Sequence, residues 1–460
     1  MSKLNDRVHS YMKQNREQFT ARVVLLFGLS LILFGFCMDT PENIYHGFIT
    51  IMVSPCGLIT DYIALAGIGA AFLNAGLVTI TAMLMATYFK APYTGMLIAS
   101  IFMSGGFALF GKNILNIWPI YLGVFLYSRY KGEPFGKHLH LAFFGTALGP
   151  LVSEVAMIFS DYHPIIRILA AAVVGTACGF ILPPVSTHTY KFHKGYNLFN
   201  AGFATGLIAT VFVSIMRSFG YTPIKMFYWS TEYTNLLAAY LIALFVILIV
   251  VGFWLDRCAI KDLKYITRHS GQGADYIGTL GFPGTMINMG LIGLFFTFYL
   301  LAIGGAINGP TAGCILSIAG FGAAGVNLRN TLFIVLGVIF GSFVKVWNLT
   351  DPAVQLSVLL CTGLAPLAGK YGLFYGMLSG FIHSSVVLNV GTLYSSLNLY
   401  NNGFSTGLVA AFLAPLLPEL KAPQIDQTYI HCPIRPKGEE SKYNFDHVDK
   451  IKGKESFSYI

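Results

Sequence analysis

Long apolar stretches, separated by short polar or glycine- and proline-containing segments, run along most of the chain. Clear examples are residues 22–37, 139–158, 165–182 and 236–255. Each approaches the roughly 20 residues that a helix needs to cross the hydrocarbon core of a bilayer. The pattern predicts an all-α fold: a polytopic membrane helix bundle of about 12–14 spans that includes short broken or re-entrant helices.

The composition is that of a membrane protein. Hydrophobic residues make up 55% of the 460 residues and charged residues only 11%, whereas soluble domains are about a quarter charged. The lipid bilayer is therefore the first predicted partner. The N-terminus lacks the short apolar core and cleavage site of a signal peptide, so the first apolar stretch is predicted to be a retained helix.

Basic residues are clustered and account for the net charge of +9. The clusters lie before residue 23, at 129–137, at 257–268 and in the tail from residue 421. Because lysine and arginine are retained on the cytoplasmic side of a membrane, these segments and both termini are predicted to be cytoplasmic. Nucleic-acid binding would need a basic soluble face with interleaved aromatic residues, and the sequence shows none, so no nucleic-acid partner is predicted.

The chain contains an internal duplication. Residues 197–209, NLFNAGFATGLIA, match residues 398–410, NLYNNGFSTGLVA, at nine of thirteen positions. Hydrophobic bias alone makes leucines coincide, but it does not produce this ordered set of asparagine, threonine and glycine. Shorter blocks upstream recur in the same order, among them Asp61-Tyr62-Ile63 as Asp275-Tyr276-Ile277.

The duplication is predicted to be inverted. Seven predicted spans separate Asp61 from Asp275, and an odd number turns the second copy over. Many secondary transporters have this architecture. The predicted divisions are a cytoplasmic N-terminal segment (1–20), a first span with a re-entrant piece (21–60), repeat 1 (61–216), a linker helix with a basic cytoplasmic loop (217–270), repeat 2 (271–418) and a polar cytoplasmic tail (419–460).

Two corresponding segments, 94–110 and 311–325, are short and glycine-rich. Broken helix is tolerated at membrane depth only inside protein or beside a water-filled cavity, and paired broken segments indicate a transporter's binding site. The competing interpretation is that the glycines let helices pack closely. Both interpretations stay open at the level of the sequence.

Asparagines occur in pairs at corresponding positions of the two copies. A buried amide without a partner costs roughly 2–7 kcal/mol, so these amides are expected to face one another, a broken backbone or a polar substrate. Helix capping is favoured for Asn113 and Asn327, near glycines at segment ends. The candidate substrate-binding residues are Asn74 and Asn288, Asn113 and Asn327, Asn116 and Asn330, Asn200 and Asn401, and the threonines Thr205 and Thr406. The pair Asn197 and Asn398 is also duplicated but is not among the candidates.

Four charged residues inside or near predicted spans are further candidates. Lys112 and Arg329 lie in matching breaks, where a cation beside a half-helix N-terminus would suit an anionic substrate. Long basic side chains at span ends usually reach water, however, and this role is favoured for both. Glu154 and Lys370 occupy aligned positions with opposite charge and are candidate coupling residues. Asp61 and Asp275 begin their segments and are predicted N-caps.

The motifs of several enzyme classes do not occur in the sequence. Walker A and HExxH sequences are missing, the histidines are widely spread and the seven cysteines contain no CxxC. We therefore predict no metal site, no cofactor and no disulfide framework, and a protein that is not an enzyme.

The blocks Gly106-Phe107, Gly111-Lys112-Asn113, Asn116, Pro119-Ile120 and Gly123-Val124 resemble a family of bacterial multi-pass membrane proteins known only as a domain of unknown function. The resemblance covers about residues 20–420. It implies a location in the cell inner membrane. It implies no particular biochemical activity, because none comes with that family.

Two shorter segments show partial likenesses. Residues 195–206 look like the aromatic-asparagine segment that heads the pore helices of urea transporters, which also use inverted repeats. The order and spacing of the other elements depart from that family, so a urea specificity is not implied. Residues 404–407 are partly similar to the flavin-attachment motif of sodium-pumping redox complexes.

The sequence thus predicts a transporter or channel for a small polar solute, with an anion as one option and the site at the interface of the two repeats. The alternatives are a membrane-embedded enzyme or redox subunit, in which Ser405 or Thr406 would attach a flavin, and a scaffold subunit that transports nothing. The sequence leaves open whether the chain forms a homo-oligomer.

Asn200 and Asn401 are expected to approach each other near mid-membrane and to face a shared pathway. In that case Asn→Ala would abolish substrate binding and leave folding intact. If the amides serve helix packing instead, the same change would lower stability by about 0.6–2 kcal/mol.

Overall fold

The computed structural model describes residues 16–223 and 225–420. Within these residues the regular secondary structure is helical apart from one parallel pair of strands, β1 (Ile59–Thr60) with β2 (Phe227–Tyr228). The all-α prediction is confirmed. The predicted N-terminal segment up to residue 15 and the predicted tail from residue 421 lie outside the described residues.

The helices occur in the same order in both halves. The first half contains α1 (Arg16–Met38), α2 (Pro41–Val53), α3 (Tyr62–Ala66), α4 (Ile68–Tyr88), α5 (Gly95–Phe107), α6 (Trp118–Tyr130), α7 (Phe135–Gly145), α8 (Gly149–Ile158), α9 (Pro164–His193) and α10 (Asn200–Ser218). The second half contains α11 (Thr234–Leu255), α12 (Asp262–Arg268), α13 (Tyr276–Leu280), α14 (Phe282–Ala302), α15 (Gly309–Phe321), α16 (Leu328–Val344), α17 (Pro352–Leu360), α18 (Ala365–Tyr371), α19 (Leu373–Val390) and α20 (Asn401–Leu420). Short 3₁₀ turns join α7 to α8 and α17 to α18, and a third precedes α12.

The chain is a multi-pass membrane protein. Ten helices in the described part are long and apolar enough to cross a bilayer. Their burial separates an outer layer from an inner one: the most apolar window of α9 is 28% buried, whereas the continuous rod Pro352–Tyr371 is 83% buried. Apolar side chains on the outer helices can face lipid, because lipid tails are as apolar as they are.

Helices α5 and α15 pack against each other in the centre of the bundle. Each has 13 residues, about 20 Å of helix, and nearly every residue of both is buried. A Cβ atom on Gly106 would lie well inside 3.0 Å of the Gly313 carbonyl oxygen, and one on Gly313 equally close to that of Gly106. The glycines therefore permit close helix packing, as one of the two interpretations of these segments required.

The backbone breaks after α5 and α15 are stabilised in the same way. Asn74 Nδ2 donates to the carbonyl oxygens of Ala108 (2.7 Å) and Lys112 (2.9 Å). Asn288 Nδ2 donates to those of Gly322 (2.7 Å) and Val326 (2.9 Å), at the same sequence separations. Carbonyl groups freed by a break must be satisfied inside the protein at this depth, and one buried amide in each half does this.

Two aspartates link the halves at opposite ends of the bundle. Asp61 Oδ1 accepts from the amide of Gly309, the first residue of α15 (3.2 Å). Asp275 Oδ1 accepts from the amide of Gly95, the first residue of α5 (2.9 Å). Asp61 precedes α4 and Gly95 follows it, and α4 has 21 residues, about 30 Å of helix, so the two links lie a membrane's thickness apart. Both aspartates also cap their own segments, by accepting from Ile63 and Gly278 respectively.

The correspondence between the halves begins earlier than the predicted boundaries at residues 61 and 271. Asn113 Nδ2 donates to the Ile51 carbonyl of α2 (3.1 Å), and Asn327 Nδ2 donates to the Ile266 carbonyl of α12 (2.9 Å). Helix α1 packs on Gly76 of α4 just as α11 packs on Gly290 of α14. The predicted linker helix is thus the counterpart of the first span, a relation that their unlike sequences conceal.

Candidate functional site

Helices α10 and α20 cross at Gly202 and Gly403, and this crossing is the centre of the candidate site. A Cβ atom added to either glycine would lie 2.7 Å from the Cα atom of the other. Neither position has room for a side chain. The duplicated motif therefore brings its own two copies into contact, as the sequence predicts.

Reciprocal hydrogen bonds flank this crossing. Thr205 Oγ1 donates to Asn398 Oδ1 (3.2 Å), and Thr406 Oγ1 donates to Asn197 Oδ1 (3.0 Å). All four side chains are buried. The Nδ2 groups of both asparagines have no hydrogen-bond partner among the described residues. The threonines were sequence candidates, but the asparagines were not, although both open the duplicated motif.

Asn200 and Asn401 do not face a shared pathway, and that expectation was wrong. Asn200 Nδ2 donates to the Ser186 carbonyl of α9 (2.9 Å), and its Oδ1 accepts from Thr189 Oγ1 (2.7 Å). Asn401 Nδ2 donates to the Val387 carbonyl of α19 (3.0 Å), and its Oδ1 accepts from the Tyr394 hydroxyl. Each amide is turned towards the preceding helix of its own half, because each begins a new helix and points back along the connecting turn.

Asn200→Ala is expected to lower the free energy of unfolding by about 0.6–2 kcal/mol, the range for such hydrogen bonds in membranes. Solute binding should be unchanged, because the partners of this amide in the described part of the chain all lie on α9. Thermal unfolding in detergent measures the first quantity. Asn389→Ala on α19 is the matched control: Asn389 is exposed, and surface changes stay within about 0.5 kcal/mol. Loss of solute binding at unchanged stability would restore the pathway role.

The asparagines of the two breaks form reciprocal caps. The Asn113 amide donates to Asn116 Oδ1 (3.0 Å), and the Asn116 amide donates to Asn113 Oδ1 (2.9 Å). Asn327 and Asn330 repeat the pair at 2.9 and 3.1 Å. These side chains hold the start of the next segment, the role that the sequence favoured for Asn113 and Asn327.

Lys112 is buried inside the protein. Its side chain is 0% exposed, and Nζ has no hydrogen-bond partner among the described residues. Nζ lies 5.7 Å from the centroid of the Phe107 ring. The favoured expectation, a lysine that reaches water, was wrong for this residue. Gly111 has a φ of 65°, and this left-handed turn carries the lysine into the bundle.

The other charged candidates lie elsewhere. Arg329 is exposed, so it does not share the buried environment of Lys112. Glu154 is 4% exposed and accepts from the Tyr221 hydroxyl (2.7 Å). Lys370 donates to Gln272 Oε1 (3.3 Å) at the end of the bundle that holds Asp275. The structure therefore does not gather the predicted charged residues into one site.

A cluster of aromatic rings, the aromatic core, fills the space between the crossing and the short helices. Tyr400 packs on Phe107 (5.6 Å between ring centroids) and on Phe199 (5.2 Å). Phe199 in turn packs on Phe321 (4.6 Å), and Phe144 contacts Tyr400 and Phe321. The Tyr400 hydroxyl is buried without a partner among the described residues.

A buried polar trio occurs in the second half. Ser405 Oγ and His383 Nδ1 are 2.9 Å apart, and His383 Nε2 and Asn402 Oδ1 are 3.2 Å apart. Because the amide oxygen accepts, Nε2 carries the proton and Nδ1 accepts from the serine. Aligning Asn200 with Asn401 places apolar residues at the corresponding positions of the first half, namely Leu182, Ala201 and Ala204.

One family model matches the chain, at residues 40–218 and 255–419, and its description is a protein of unknown function (DUF1576). The two matched segments start near α2 and near the 3₁₀ turn before α12. No curated protein matches the chain, and neither does any solved structure. Within the described residues no group of three or more His, Cys, Asp or Glu residues is arranged to hold a metal ion.

Proposed function

The chain belongs to the DUF1576 family, whose function is unknown, and we propose that it is a transporter or channel for a small polar solute, built from two repeats of inverted topology. The predicted membership of an uncharacterised family is confirmed by the match over most of the chain. The observation that carries the functional proposal is the reciprocal pair of links, Asp61 with Gly309 and Asp275 with Gly95, at opposite ends of the bundle.

Inversion accounts for this reciprocity. Each half contains seven helical passages, α1, α4, α5, α6, α7 with α8, α9 and α10 in the first and their counterparts in the second. An odd number makes the second half begin at the opposite end. A two-fold axis in the membrane plane then exchanges the two aspartate links and also the two threonine–asparagine bonds.

Transport is the use to which this architecture is suited. Two copies of one unit can pack in two equivalent ways, and each packing opens the centre to a different side. The elements at the axis are short helices, breaks and a glycine crossing, and broken backbone at membrane depth belongs where it is enclosed by protein or lines a cavity. Unpaired donors at Asn197 and Asn398 lie beside the axis, where a polar solute could accept from them.

The orientation follows from charge. Arg129 lies in the last turn of α6 and Lys131 directly after it, and Gly136 lies against the Phe89 carbonyl at the end of α4. At that same end the Tyr93 amide donates to Glu17 Oε2 (2.9 Å). We place this end in the cytoplasm, together with both termini, because basic loops are retained there.

The inverted orientation is tested by cysteine labelling with an impermeant reagent added outside intact cells. Lys131→Cys and Lys264→Cys should stay unmodified, and Asp161→Cys should react. The background replaces Cys432 and the exposed Cys37 and Cys258 by serine. Reaction of only one of residues 131 and 264 from outside would contradict the inverted arrangement, and reaction of both without Asp161→Cys would reverse the assigned orientation.

Transport itself is tested with purified protein. A panel of small polar solutes is screened for a rise in melting temperature, because a ligand that binds only the native state stabilises it by mass action. Each solute that stabilises the protein is then offered to proteoliposomes, where we expect uptake above that of empty vesicles. Binding without flux for every such solute would favour the scaffold alternative.

A membrane-embedded enzyme is the second candidate function, and the Ser405–His383–Asn402 trio favours it. The order hydroxyl, imidazole and orienting amide is that of an activated nucleophile. Ser405 and Thr406, the residues considered for flavin attachment, are fully buried, and both hydroxyls are hydrogen-bonded. Reaction of Ser405 with a fluorophosphonate probe would support the enzyme.

A further inference from the structure

Lys112 carries a buried amino group with no carboxylate partner among the described residues. Its side chain is fully buried and its Nζ unpaired among the described residues. The nearby buried carboxylates are engaged elsewhere: Asp61 accepts from Ser230, Gly309 and Ile63, and Glu154 accepts from Tyr221. An isolated ammonium group inside a protein is very costly unless it is paired. Within the part of the chain that the structure describes, no carboxylate pairs with this amino group.

The backbone break does not require a lysine here. The carbonyl oxygen of Lys112 accepts from Asn74 at 2.9 Å, and the carbonyl oxygen of Val326, its counterpart, accepts from Asn288 at 2.9 Å. The same turn is thus built around valine in the second half. The fold does not need the lysine side chain, and burying it is unfavourable. A role other than stabilising the fold therefore accounts for Lys112.

Two polar groups without a partner among the described residues lie on the segment that packs beside the Phe107 ring. The ring of Phe107, over which Nζ lies, packs on Tyr400, whose hydroxyl is unpaired. Tyr400 follows Asn398, whose Nδ2 also has no acceptor among the described residues. A ligand that satisfies these groups must bring lone pairs, and one that balances Lys112 must bring a single negative charge.

We infer that Lys112 anchors a buried site for a small monovalent anion, at the edge of the aromatic core, and that this anion is the solute of the proposed transporter. That the anion is the transported solute rests on the proposed function, whereas the site itself is defined by binding alone. Formate, acetate, nitrate and chloride share the required chemistry: one charge, small size and several acceptor lone pairs.

The test measures the melting temperature of the purified full-length chain in detergent, at constant ionic strength in sodium sulfate. Sodium formate, acetate, nitrate and chloride are titrated separately. Acetamide and formamide serve as neutral matches of acetate and formate. We expect a saturable rise of about 3–6 °C with at least one monoanion and no rise with its neutral match.

Lys112→Met removes the charge and keeps the length, and Lys112→Val copies the residue of the second half. Both should fold, melt no lower than the native chain without anion, and lose the anion-dependent rise. If one variant fails to fold, the other decides. The inference is overturned if no monoanion stabilises the native chain, or if the rise persists in the folded variant.

Failure of this site and failure of the transporter are distinguishable. If a neutral solute enters proteoliposomes equally well with native protein and Lys112→Met, transport stands and the anion site falls. If a monoanion stabilises only the native chain but no flux is found with any solute, the site stands and the proposed function falls.

Discussion

Gly106→Val is expected to lower the stability of the protein by at least about 3 kcal/mol, or to prevent its folding. A Cβ atom at this position meets the Gly313 carbonyl oxygen well inside 3.0 Å and Ser317 Oγ at 3.0 Å. Overpacking a core usually costs about 1–3 kcal/mol. Here the neighbour is the backbone of a buried helix, which cannot yield by changing a rotamer.

Unfolding in detergent, followed by circular dichroism, measures the effect. Gly391→Ala is the control, because a Cβ atom there meets nothing closer than 3.5 Å, and its stability should change by less than about 1 kcal/mol. Gly313→Val should match Gly106→Val, since each glycine faces the carbonyl of the other. Native stability in both valine variants would show that α5 and α15 are not in contact.

Asp61→Ala is expected to destabilise the protein by about 3–5 kcal/mol. The carboxylate accepts from the amides of Ile63, Ser230 and Gly309 and from the Ser230 hydroxyl, and it is fully buried. Each donor left unsatisfied costs about 1–3 kcal/mol. The burial cost of the carboxylate is relieved in the variant and offsets part of this loss.

Asp275→Ala is the matched comparison. Among the described residues Asp275 accepts only from Gly95 and Gly278, and it is half-buried, so a loss of about 1–3 kcal/mol is expected. Chemical denaturation of both variants in the same detergent gives the difference. A larger loss for Asp275→Ala than for Asp61→Ala would contradict the assigned bonds.

Local spacing made some roles predictable. Asn113 and Asn116 are three residues apart, as are Asn327 and Asn330, and a cap needs only residues that are near in sequence. The same holds for Asp61 and Asp275 as N-caps. Their further bonds to Gly309 and Gly95 join residues far apart in the chain, and no local pattern carries that information.

Lys112 shows where the reasoning from sequence failed. Span-end lysines reach water because their stems are long enough to do so, and the sequence offered no sign that this one differs. The left-handed turn at Gly111 and the packing of Leu399 and Gly57 around it direct the side chain inward. Burial is decided by what the rest of the chain places over a residue.

The membrane class and the approximate helix number follow from the sequence, because a bilayer requires apolar segments of a certain length. The duplication also follows from it, because the same polar residues recur in the same order in both halves. Which amides meet across the crossing was decided only by the tertiary structure. Asn197 lies in the turn before α10, and Asn200 begins the helix three residues later. Helix periodicity does not relate the two side chains, because Asn197 precedes the helix. The course of that turn and the crossing of α10 with α20 place Asn197 against Thr406 and leave Asn200 to α9.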